Sequence, residues 1–77
     1  MMEFEIRLTS VQDVQAFVSL ATSKAFPVFV RDLNMTVNGK SFMEMFCLNF
    51  THPLFVLAQC GEEQLRQLKA EMGSFLA

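Results

Sequence analysis

The chain has 77 residues, 52% of them hydrophobic, with nine Phe and six Met, and a formal charge of −2. That length is suited to one domain, 1–77, whose large apolar side chains can fill a core without cross-links, so disorder is excluded. There is no basic block to attract nucleic acid or anionic lipid, no apolar run near the ~20 residues of a membrane span, and no signal-peptide pattern in Met1-Met2-Glu3-Phe4-Glu5, so a cytoplasmic location is expected.

Glu3-Phe4-Glu5-Ile6-Arg7-Leu8 alternates charged and apolar residues, the period of a strand with one wet face. Ser10-Val11-Gln12-Asp13 then has the form of a helix N-cap, with an acid three residues on. Val11, Val14, Phe17, Val18, Ala21 and Ala25 follow at three- and four-residue steps, predicting a helix with one buried stripe that ends before Pro27. Val28-Phe29-Val30-Arg31 and Met35-Thr36-Val37 flank Asp32-Leu33-Asn34 and read as a hairpin.

Asn38-Gly39 makes a further turn, and Ser41-Phe42-Met43-Glu44 repeats the capping pattern, so a short helix is expected over Phe42 to Leu48. Its apolar residues cannot all lie within one narrow stripe, which predicts a partner-binding surface that includes Phe42, Met45 and Phe46. Asn49 to Pro53 is a loop. Leu54-Phe55-Val56-Leu57-Ala58 is the unbroken apolar run of an interior strand. After Gly61, the acids Glu62 and Glu63 open a last helix whose Leu65, Leu68, Met72, Phe75 and Leu76 repeat to the end.

The order is βαββαβα. It predicts an α+β, two-layer, open-faced sandwich: a four-stranded antiparallel sheet with three helices on one face and the Glu3, Glu5 and Arg7 side in solvent. Cys47 and Cys60 are expected to remain thiols. Neither has a Cys or His at ligand spacing, so no metal or other cofactor is expected. Without paired carboxylates, a Cys-His pair or a glycine-rich phosphate loop, no self-contained enzyme site is expected.

Three segments stand out in order along the chain. They are Gln15-Ala16-Phe17-Val18 with Ser23-Lys24-Ala25-Phe26, then Gly39-Lys40-Ser41-Phe42-Met43, then Ala58-Gln59-Cys60-Gly61-Glu62-Glu63. With the element order and length, they resemble HPr, the phosphocarrier family of the bacterial phosphoenolpyruvate:sugar phosphotransferase system, over essentially the whole chain. The resemblance implies the HPr-like form of the sandwich.

The family's Gly-Leu-His-x-Arg-Pro signature is replaced by Leu8-Thr9-Ser10-Val11-Gln12-Asp13. Ser10 stands at the place of the phosphoacceptor histidine, Gln12 at that of the neutralising arginine and Asp13 at that of the proline. A serine ester is far less labile than a phosphoimidazole, and an acid beside it repels phosphate. The resemblance therefore implies a non-catalytic regulatory or protein-binding module. Its partner would be a phosphotransferase-system component, the HPr kinase or a transcriptional regulator.

Ser41 matches the family's regulatory serine and is a candidate phosphoserine, although an N-cap role already accounts for its hydroxyl. Lys40 would add a neighbouring charge. His52, the sole histidine, lies in the loop that borders the family's recognition surface. Two alternatives remain at this point: a phosphocarrier that uses a non-standard acceptor such as His52, and an unrelated structural or interaction domain of the same topology.

Overall fold

The computed structural model describes residues 2–76 of the chain. The leading alternation forms β1 (Met2–Ile6), with Phe4 and Ile6 buried and Glu3 and Glu5 exposed. The strand stops two residues short of Leu8, which nevertheless stays buried. Beyond it, Ser10 is extended at φ −149° and ψ 165°, and α1 (Val11–Thr22) begins.

Val14, Phe17 and Ala21 form the buried stripe of α1. It is narrower than the periodicity predicts: Val11 is 51% exposed and Ala25 lies beyond the helix in solvent. The helix closes early because the amides of Ser23 and Lys24 turn to the carbonyls of Leu20 and Ala21, and the Ser23 hydroxyl donates to Leu20 at 2.6 Å.

A hairpin joins β2 (Val28–Arg31) to β3 (Thr36–Asn38). β3 starts one residue later than expected. Met35 belongs to the turn, its carbonyl bonded to the Asp32 amide and its own amide to the Asp32 carboxylate. Gly39 follows, donating to the Val28 carbonyl at 2.8 Å. A Cβ at that position would lie 3.1 Å from that oxygen and 3.2 Å from the Phe17 ring, so close approach selects glycine.

The second helix, α2 (Phe42–Met45), is shorter than the expected Phe42–Leu48. The amides of Cys47 and Leu48 bond to the carbonyls three residues back, Glu44 and Met45, so the chain leaves the helix in tight turns that bury Leu48. β4 (Leu54–Ala58) and α3 (Glu62–Glu71) follow. The last predicted helix is interrupted after Glu71, and a 3₁₀ turn at Gly73–Phe75 places the Phe75 ring 6.4 Å from that of Phe17.

The fold is α+β. All pairings are antiparallel, in the order β1-β4-β2-β3. β4 is therefore interior, as its apolar run predicts, with Ile6 opposite Leu54 on one side and Arg31 opposite Phe55 on the other. Phe4, Ile6, Val30, Leu54 and Val56 from the sheet share one core with Val14, Phe17, Met45, Leu68 and Met72 from the helices. The second face stays open: Phe55 and Leu57 are half-buried there, and the Arg31 guanidinium lies 4.5 Å from the centre of the Phe55 ring and 3.3 Å from Glu3.

The register puts the start of α1, the Asp32 turn and the loop entering β4 at one end of the sheet. The start of α2 follows Asn38, which pairs with Phe29 at the other end.

Candidate functional site

The head of α1 is built by local hydrogen bonds. The Ser10 hydroxyl accepts from the Asp13 amide at 3.1 Å, and Oδ2 of Asp13 accepts from the amide and hydroxyl of Thr9 at 2.9 and 3.0 Å. The predicted cap is present, with the returning bond made to Thr9 rather than to Ser10. The Thr9 amide, followed by its hydroxyl, holds the Asp13 carboxyl below its ordinary value. Ser10 thus sits extended beside an ionised acid.

Facing this cap is the exit of α2. Phe42 and Phe46 meet edge-on at 4.8 Å, and Phe46 meets Phe50 edge-on at 6.3 Å, forming a ladder of three rings. Between ladder and cap lies a groove of about 260 Å³. The buried Leu8 and Val14 form its base, and Val11, Phe46 and Phe50 form its walls. Thr9 and Ser10 complete it. Its walls and flank remain open to solvent: Met43 is 79% exposed, Phe46 44% and Phe42 37%.

Of the residues expected at a binding surface, Phe46 lines the groove and Phe42 stacks on Phe46. Met45 is corrected: its side chain is wholly buried in the core, and Met43 takes the outward place. In a single helical turn of apolar residues the sequence carries no contrast to say which one faces in. His52 is exposed in the loop before β4 and does not line the groove. Gln12 is exposed in the first turn of α1.

Ser41 lies at the far end of the sheet from Ser10. Its hydroxyl accepts from the Glu44 amide at 3.3 Å, while the Glu44 carboxylate turns back to the Asn38 amide at 3.1 Å. The Lys40 ammonium does not serve Ser41: it donates to the Lys24 carbonyl at 2.7 Å, closing the end of α1.

Sequence reasoning assigned Val11 to the buried stripe and Phe50 to a loop, and so missed two walls. Phe50 had a readable signal, since Phe42, Phe46 and Phe50 recur every four residues past the end of α2. Asp32 was read only as a turn residue, yet it is buried and its Oδ2 accepts from the Asn49 amide at 2.9 Å, fixing the segment that carries Phe50. Among the described residues, no helix is long and apolar enough to cross a membrane, and no group of three or more His, Cys, Asp or Glu residues could hold a metal ion. The chain matches no protein-family model and no curated protein.

Proposed function

We propose that the chain is an HPr-like module of the phosphotransferase system that binds a protein partner in the cytoplasm and does not itself carry phosphate. The observation that carries this reading is the apolar groove between the head of α1 and the Phe42–Phe46–Phe50 ladder. Exposed Phe and Met side chains around a small hollow are the composition of an interface core. The serine at the phosphoacceptor position is bound as a helix cap beside a carboxylate whose negative charge repels an incoming phosphate, and its ester would not be labile as a phosphoimidazole is. The resemblance in element order and in the three segments supplies the family.

Regulation at Ser41 belongs to the same proposal. A phosphate there would disturb the cap bond from the Glu44 amide and would have to draw Lys40 from the Lys24 carbonyl. Modification would therefore loosen the contact between the end of α1 and the start of α2.

Titrating the ¹⁵N-labelled chain with phosphotransferase enzymes, HPr kinase and carbon-control regulators should shift the amides of Thr9 to Val14 and Phe42 to Phe50 with at least one of them. Enzyme I with phosphoenolpyruvate should leave the mass unchanged, whereas HPr kinase with ATP should add one phosphoryl group that the Ser41→Ala variant does not acquire. An acid-labile phosphoprotein, or no shift with any partner, would overturn the reading.

A further inference from the structure

Asp13 lies beside the groove: Thr9, which helps to line the groove, makes both of its side-chain-directed bonds to Oδ2 of Asp13. Both Thr9 bonds are made to Oδ2, and the Ser10 hydroxyl is a further, weaker influence on the same carboxylate. The Thr9 bonds lower its pKa further, and the carboxyl carries its charge at neutral pH. Among the described residues, no Lys or Arg lines the hollow. An apolar hole therefore stands next to a fixed negative charge.

The geometry points to an amphipathic segment of a partner protein as the occupant, with one apolar side chain in the groove and a Lys or Arg within a helical turn of it reaching the Asp13 carboxylate. This deepens the binding-module reading and rests on it. The volume of about 260 Å³ suits one large aliphatic or aromatic anchor, and helical segments commonly offer such an anchor with a charge three or four residues away. The charge sets the preference: a cation gains the Asp13 carboxylate as a partner, whereas a carboxylate at the same place meets repulsion. An exposed ion pair of this kind separates the two by a factor of about two to five on each side of a neutral residue.

Three short amphipathic peptides with an identical apolar face, differing only in a Lys, Gln or Glu within one turn of the central Leu, test this by NMR titration. The Lys peptide should shift the amides of Thr9 to Val14 and Phe46 to Phe50 and bind most tightly, with Gln next and Glu weakest. Asp13→Asn, whose amide oxygen still accepts from Thr9, should bring the three affinities to within about twofold of one another, as should raised ionic strength on the unaltered chain. Phe46→Ala should weaken all three alike.

Equal binding of the Lys and Glu peptides, or a preference that persists in Asp13→Asn and in high salt, would overturn the assignment. If no peptide shifts the groove while a protein partner does, this ligand class fails and the binding module stands; if neither binds, both fail. Groove shifts that grow with the concentration of the chain alone, together with shifts at Leu65, Arg66 and Lys69 on α3, would assign the face to a second copy and also overturn it.

Discussion

Three backbone amides converge on the carboxylate of Asp32, from Asn34 at 2.7 Å, Met35 at 2.8 Å and Asn49 at 2.9 Å. The bond from Asn49 is the largest influence, and together they hold the carboxyl below its ordinary 3.8. The folded protein therefore binds this proton less readily than the unfolded chain. The stabilisation is fully present above the unfolded pKa and is lost as pH falls through 3.8 toward the lower folded value. In Asp32→Asn all three amides lose their charged acceptor, and at least one of them faces the NH2 donor of the new side chain instead of an oxygen. The variant's melting temperature should lie below that of the unaltered chain at pH 7, and the two should draw together as the pH falls from 3.8 toward the lower folded value. With neither Trp nor Tyr in the sequence, far-UV circular dichroism is the measurement. The turn was legible because Asp32 precedes Asn34 in a pattern that folds back on local amides. Its bond to Asn49 was not, since that residue is 17 positions away and no local pattern encodes it.

The elements that could be read are those whose hydrophobic period contrasts with a polar background. β1 alternates with charged residues, and α1 spaces Val14, Phe17 and Ala21 among Gln, Ser and Asp. α2 has no such background. Its Phe42-Met43-Glu44-Met45 offers two methionines two positions apart, on opposing sides of a turn, and only packing decides between them. Met45→Ala removes a fully buried side chain from the core and should destabilise the fold by about 2–5 kcal/mol. Met43→Ala trims a side chain that is 79% exposed and should change stability by no more than about 0.5 kcal/mol. Chemical denaturation of the two variants checks the difference. The two differ because Met43 points to solvent and Met45 into the core. The candidate groove escaped the sequence for a related reason: it is formed where the head of one helix meets the exit of another, across more than thirty residues.

For the molecule as a whole, the strand order makes β4 the most protected element. It is hydrogen-bonded to β1 on one side and β2 on the other, and Leu54, Val56 and Ala58 are fully buried. β3 is a three-residue edge strand paired on one side only. In amide hydrogen exchange, β4 should be slowest and β3 among the fastest of the strand amides. The outer edge of β1 is partly closed by the end of the chain, since the Arg7 amide donates to the Phe75 carbonyl at 2.8 Å and Ile6 bridges to Leu76.

The central place of β4 also governs how the protein is made. On the ribosome the β2–β3 hairpin can form as soon as it emerges, since its partners are neighbours in sequence. β1 has no strand to pair with until residues 54 to 58 have been released, and its Phe4 and Ile6 must wait with it. The nascent chain thus holds β1 unpaired until β4 has been released, and only then can the four-stranded sheet close.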